Sequence, residues 1–482
     1  MSSPPSPDSS APRAWREPVW IRALAPALRA RARQVWFWIG VGLVIRIVLL
    51  PLFASVDLLS TAYITTLLID KHQLILTNDP PPIYFVSGAL QWLVQPLIPS
   101  NLSALFTSGA SYTPGTTPEA LAAQTGGINI LIAVLKLPYL AADLVVALVL
   151  PRFFRNDRQA FAALLLWWFN PISIYVSYFV GQYDIVATAL LLLAFYFLRS
   201  GRNLECLIAI AAATFFEGYA LLVIPFLLIY WIRTSDTRIQ VAKRVVGSLV
   251  APAIAIGALI LIFHFQASYY QPANLALPQS SISGNYGTTI YNRGLAMQPL
   301  LAGLWTFVGF SAQFPISTSL SDVILVVVLA YGLLLFLLDR VAKQGWDSIW
   351  AVTLASFLVF YALSGFLVQW VLWCLPLLTI LLARNLRSLI LPYVVFVIGY
   401  FVYTWYFGAV LFGNLLQPSF PGVAGANPIA TLNSIGLPAI LVINVGRSLF
   451  SAASLWFAYT ALRGILGKTT PPDLGAQAAP AS

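Results

Sequence analysis

The sequence predicts an all-α polytopic membrane protein with about twelve transmembrane helices, some of them broken or re-entrant, around an outward-facing cavity. Three observations predict it. Hydrophobic residues make up 59% of the 482 and charged residues only 9%, with a mean hydropathy of +0.83. A soluble domain carries about 25% charged residues, so this chain needs lipid as its solvent. Apolar runs recur at the length of a bilayer crossing, about 20 residues. The basic residues lie in short clusters between those runs, the pattern of segments kept in the cytoplasm. That distribution, rather than nucleic-acid binding, accounts for the net charge of +10.

Residues 1–34, polar and Pro/Ser-rich and then Arg-rich, read as a disordered cytoplasmic tail, and 469–482 as a second, leaving 35–468 as the transmembrane domain. The first apolar run is 35–54. The next, 128–150, leads into the basic "PRFFRNDR". Between them lies a first outer loop, 55–127, far longer than most connections. Inside it Pro80, Pro81 and Pro82 give a rigid entry to an amphipathic helix at 83–97, too short and polar to span and so predicted to lie in the interface. Runs 160–179 and 185–198 flank "GQYD", Gly181 to Asp184. Arg199 and Arg202 return the chain to the cytoplasm, which puts that turn outside. Asn170-Pro171 interrupts the first of these runs and predicts a kink.

Residues 203–232 join two basic clusters and need two crossings in too few residues for two full spans. Short or re-entrant helices meeting near Gly218 satisfy this, and such breaks are tolerated only against protein or water. Runs 245–265, 320–338, 347–363, 366–383, 389–412 and a last one ending near 462 complete the alternation. Both termini are then cytoplasmic, with 266–319 and 413–436 outside. The localisation expected is the plasma membrane, multi-pass.

Several site classes are disfavoured. Cys206 and Cys374 both lie in apolar runs, which supports neither a disulfide framework nor a metal cluster. His72 and His264 are far apart, against a zinc site. The glycine-containing "SGNYGTTIYNRG" lies in an outer segment without the strand-to-helix context of a phosphate loop. No cofactor is required, and a divalent cation is compatible with the sequence.

The candidate residues are polar groups at the outer ends of spans and charges within them. Asp57 falls just after the first span. It is either a helix N-cap or a general base whose pKa is lifted by partial desolvation. Asp184 either caps the helix that follows it or lines a site with Gln182. Asp79 and Tyr84, in "NDPPPIYFV", are further candidates for positioning substrates. Arg447 and Arg293 are rival candidates for binding a lipid phosphate, which a guanidinium can grip with two donors. Charges within spans are costly. Lys136 and Asp143, seven apart on one helix face, are expected to pair with other helices and hold the bundle together.

The first span with Asp57 outside it, "PPPIY", "KLPYLAADLVVALVL", "WWFNPISIYVSYFVGQYDIVATALLLLAFYFL" and "VQWVLWCLPLL", in that order, resemble the GT-C superfamily of integral-membrane glycosyltransferases. The branch resembled is the bacterial and archaeal relatives of the GPI-anchor mannosyltransferase. The similarity runs from about 35 to 462, with the NP…GQ(Y/F)D element its most specific part. The resemblance implies a sugar donor carried on polyprenyl phosphate and a site at the outer face. It also implies inversion at the anomeric carbon, a glycan, lipid or protein acceptor, and a catalytic carboxylate at Asp57. Relatives often carry a basic residue where this chain has Glu217, and a His or Tyr where it has Gln369 and Trp370. The competing readings are a transporter or lipid flippase, against which no repeat relates the two halves, and a non-catalytic subunit of a glycan assembly complex.

Overall fold

A computed structural model describes residues 24–71, 81–97, 128–235, 237–267, 326–363, 366–423 and 425–467. Among them every regular element is a helix. Six stretches are long and apolar enough to cross a membrane: Pro26–Leu49, Ile128–Phe153, Asp157–Val180, Trp346–Leu363, Leu386–Leu411 and Ala439–Leu466. Shorter apolar helices cover Asn203–Phe216, Gly218–Thr234 and Leu375–Arg384. The protein is a multi-pass, all-helical membrane protein. The six are counted among the described residues only, and several further apolar runs there fold as shorter pieces.

The described chain begins at Leu24, and residues 26–34, expected as part of a disordered tail, are helical. A 3-10 turn, Pro26–Arg31, leads directly into α1 (Ala32–Leu49). Leu24, Ala25 and Leu28 are buried, and this apolar contact holds the turn against the bundle. The long first loop is also more structured than expected. Its start forms α2 (Val56–Lys71), and the helix expected at 83–97 appears as α3 (Pro81–Leu93) followed by a turn at Gln95–Leu97. Thr65 donates to Gln91 Oε1 at 2.6 Å, and Gln91 Nε2 donates to Thr66 at 2.8 Å, so amide and hydroxyls clamp α2 to α3.

The run at 128–150 breaks at Lys136 into α4 (Ile128–Leu135) and α5 (Leu137–Val149). Pro138 sits in the first turn of α5, where its missing N–H costs nothing. Next come α6 (Asp157–Trp168) and α7 (Pro171–Ile174), which runs into a π turn, Tyr175–Val180. Asn170 Oδ1 accepts from Ile172 N at 2.9 Å, recapping the chain at the kink that Asn170-Pro171 foretold. After α8 (Asp184–Arg199), α9 (Asn203–Phe216) ends at Glu217 in extended backbone. A 3-10 turn, Gly218–Val223, then leads into α10 (Ile224–Thr234), so the chain does break beside Gly218. The described chain closes with α11 (Arg238–Ala267), α12 (Val326–Val341), α13 (Trp346–Leu363), α14 (Leu375–Arg384), α15 (Leu386–Thr404), α16 (Gly413–Leu416), α17 (Pro428–Ser434) and α18 (Ala439–Leu466). The run expected at 366–383 is likewise divided, a 3-10 turn at Val368–Trp373 preceding α14 and its Pro376.

Two stretches, 31–57 and 157–182, run side by side in the same direction and set the axis of the molecule. Arg31 Nη2 meets Asp157 Oδ2 at 2.9 Å at one end. Trp168 Nε1 donates to Ile39 O at 3.1 Å further along. Arg46 Nε meets Asp143 Oδ2 at 2.6 Å, both side chains fully buried. Gln182 meets Asp57 at the far end. Helix 157–180 has 24 residues, about 36 Å at 1.5 Å per residue, enough for a hydrocarbon core of about 30 Å. Arg384 Nη1 meets Asp347 at 2.9 Å, and both stand near Arg199, whose other charged neighbour is Arg155. Arg155 lies two residues before Asp157, the partner of Arg31, so these residues share a face with Arg31: that face is basic and the other carries Asp57.

Candidate functional site

The site begins with what fixes α2. Ser55 Oγ accepts from Leu58 N at 3.3 Å, so the end of α2 is capped by Ser55 and not by Asp57. The Asp57 carboxylate is thereby released from the capping role that the sequence left open. Gln182 Nε2 donates to its Oδ2 at 2.5 Å. Gln182 is 4% exposed, whereas Asp57 keeps an exposed face. Protein mass around Asp57 nevertheless desolvates its carboxyl and pushes the pKa up, against the pull of the Gln182 amide.

Gly181 makes the Asp57–Gln182 contact sterically feasible. It ends the π turn at φ +77, the left-handed region that favours glycine. A Cβ there would stand 2.9 Å from Leu58 Cδ2 and 3.1 Å from Lys136 Cε. A larger side chain would therefore require Leu58 and Lys136 to shift, in addition to the cost of the dihedral. Lys136, at the break between α4 and α5, donates through Nζ to Phe53 O at 2.5 Å and Tyr178 O at 2.6 Å. It ties the segment before Asp57 to the segment before Gln182. Phe53 and Phe179 stack beside this tie, their ring centroids 4.0 Å apart.

Asp184 belongs to an adjoining, drier cluster. It is 1% exposed and accepts from Trp373 Nε1 at 2.8 Å. The Trp373 ring stacks on Tyr219 at 3.8 Å and on Trp370 at 5.2 Å. Tyr219 in turn hydrogen-bonds Thr188 across 3.3 Å. So Gln182 touches Asp57, while Asp184, two residues on, anchors an indole. Trp373 and Tyr219 were not legible as neighbours of Asp184, because each contact joins remote parts of the chain.

Of the other candidates, Tyr84 is fully buried on α3. Arg447, on α18, places its guanidinium 4.8 Å from the Phe366 ring and 5.3 Å from the Tyr403 ring, outside the Asp57–Gln182 contact. Asp79 and Arg293 lie outside the described residues, as do residues 101–127, most of 266–319 and the second tail. Lys136 and Asp143 hold the bundle but do not pair with each other. Asp143 receives Arg46, Trp167 Nε1 at 2.7 Å and Tyr178 OH at 2.9 Å. Among the described residues no group of three His, Cys, Asp or Glu could hold a metal.

No protein-family model and none of the curated proteins matches the chain. Among solved structures it is similar to ArnT from Cupriavidus metallidurans, in a crystal structure bound to undecaprenyl phosphate and in another in the apo state. Identity is 15% in both. The first alignment covers 89% of this chain and 77% of that one, with a TM-score of 0.39. The second covers 90% and 78%, with a TM-score of 0.43.

Proposed function

We propose that the protein is an inverting membrane glycosyltransferase that moves a sugar from a polyprenyl-phosphate donor to a hydroxyl of a glycan, lipid or protein acceptor. The observation that carries this reading is Asp57. It is an uncapping, water-accessible carboxylate with a raised pKa, oriented by Gln182 at the face opposite the basic clusters. The positive-inside pattern makes that face the outer one, with both termini cytoplasmic and the plasma membrane the host. The resemblance seen in the sequence favours a hexose, mannose first; ArnT was crystallised bound to undecaprenyl phosphate, a lipid phosphate without a sugar.

The chemistry asks little more of the chain. As the acceptor oxygen attacks the anomeric carbon, its proton passes to Asp57, and the bond to the donor phosphate breaks with the electron pair leaving on the phosphate. Burial that desolvates the carboxylate makes it a stronger base than a hydrated one. The Gln182 amide holds one oxygen, leaving the other for the acceptor. The test is transfer in vitro from synthetic polyprenyl-phosphate hexoses, with Asp57→Asn as the variant. Turnover should fall by about a hundredfold or more with the melting temperature preserved. Near-parental turnover in that variant would overturn the role of Asp57, and no transfer by the parent from any such donor would overturn the function.

A further inference from the structure

Lys136 stands at the break between α4 and α5 with its side chain wholly buried, and a charge inside a membrane protein is costly. Among the described residues its hydrogen-bond partners are two backbone carbonyls, Phe53 O at 2.5 Å and Tyr178 O at 2.6 Å. Phe53 lies in the short link between α1 and α2, and Tyr178 in the π turn before Gly181. The spacing is matched. Asp57 follows Phe53 by four residues, and Gln182 follows Tyr178 by four. One ammonium therefore grips both stretches at the same distance along the chain from the two side chains that meet, Gln182 and Asp57. Asp143, seven residues after Lys136, makes a deeper rung between the same stretches. It receives Arg46, seven residues before Phe53, and the hydroxyl of the same Tyr178. The Lys136 rung is the one nearer to Asp57. Its stem adds to the hold, since a Cβ on Gly181 would stand 3.1 Å from Lys136 Cε, so the methylenes pack under the turn that carries Gln182. Of the helices packed most closely against α2, α3 brings Tyr84 as its one ionisable side chain and α4 brings none, while α2 itself carries Asp70 and Lys71 only at its far end.

We infer that Lys136 is a positioning residue of the site: by fixing the carbonyls of Phe53 and Tyr178 together, it sets the contact between the Gln182 amide and the Asp57 carboxylate. It acts through that contact and not on the reacting atoms. A neutral side chain of similar length would fill the space and leave both carbonyls without their donor. The turn that carries Gln182 would then be free to move away from Asp57. Naming Asp57 the base rests on the glycosyl-transfer reading, whereas the coupling of Lys136 to the contact does not.

The experiment follows the protonation of Asp57 in the purified full-length chain, by infrared titration of its carboxyl band, assigned by the loss of that band in Asp57→Asn. Gln182→Ala should raise the midpoint by about one pH unit, the worth of one hydrogen bond to a charged carboxylate. Lys136→Met should raise it by a similar amount, and Lys136→Met added to Gln182→Ala should raise it no further. That non-additivity separates positioning from charge, because an ammonium acting through space would add its own shift in either background. Gly201→Ala, at a positive-φ turn with open space around it, should lower the melting temperature and leave the midpoint in place. Transfer assays read the same variants: Lys136→Met should lower kcat by about tenfold or more and leave KM for the donor within about twofold of the parent's. Lys136→Gln, which keeps an amide donor, should fall between the parent and Lys136→Met, and it carries the comparison where Lys136→Met does not fold. An unmoved midpoint in a folded Lys136 variant, shifts that add, or a raised KM with kcat kept would each overturn the positioning role. A moved, non-additive midpoint with no transfer by the parent would instead overturn the glycosyl-transfer reading and leave the coupling of Lys136 to the Gln182–Asp57 contact standing.

Discussion

At the scale of the residue, the protonation of Asp57 makes a prediction of definite sign. Burial raises its pKa and the Gln182 amide opposes the rise. A general base works deprotonated, so kcat/KM should fall as pH falls through a value above that of an ordinary carboxylate. Gln182→Ala removes the donor that favours the charged form. The acid limb of the pH profile should therefore move to higher pH, and a limb that stays or moves down would count against the contact. The same shift has a consequence for folding. A group whose pKa is raised in the native state adds stability that is present at acid pH and lost as pH rises through the raised value. At neutral pH Asp57→Asn should thus be at least as stable as the parent, which sets a base apart from a structural carboxylate.

At the scale of the element, the turn that carries Gln182 depends on two small features. Gly181→Ala should lose roughly 1–3 kcal/mol from the left-handed backbone alone, and the new Cβ would press on Leu58 and Lys136. Activity should drop with stability, because Leu58 adjoins Asp57, whereas Gly201→Ala, also at positive φ but with open space around it, should cost stability only. Thermal unfolding beside transfer assays reads the difference. Elements differed in how legible they were. Asn170-Pro171 announced its kink, since a cap followed by Pro starts a helix wherever it occurs. Pro138 and Pro376 carry the same signal inside longer apolar runs, where hydropathy alone read a single span. Helix α2 escaped notice because its threonines are poor helix formers. Their hydroxyls bond carbonyls one turn back, as Thr61 does to Asp57 O at 3.1 Å, or reach across to Gln91.

At the scale of the whole molecule, the class was legible because lipid leaves a chain almost no choice but helices, and one carboxylate after the first span was conspicuous. Partner choice was not legible. Arg46 and Asp143 are 97 residues apart, and nothing local says that they meet. Their pair ties the stretch leading to Asp57 to the helix that follows Lys136, and Arg46 also lies 3.6 Å over the Trp168 ring. Taking two charges out of water is expensive, so the pair is worth little beyond two well-packed apolar residues, yet breaking it strands one charge. Arg46→Leu and Asp143→Leu should each cost about 3–5 kcal/mol, whereas the double variant should cost clearly less than their sum. Trp167 and Tyr178 would then lose an acceptor, which keeps the double variant below the parent. Unfolding of all four proteins in one detergent gives the coupling energy. Additive losses would mean that the two charges are not paired in the membrane and that the two stretches are held together by packing alone.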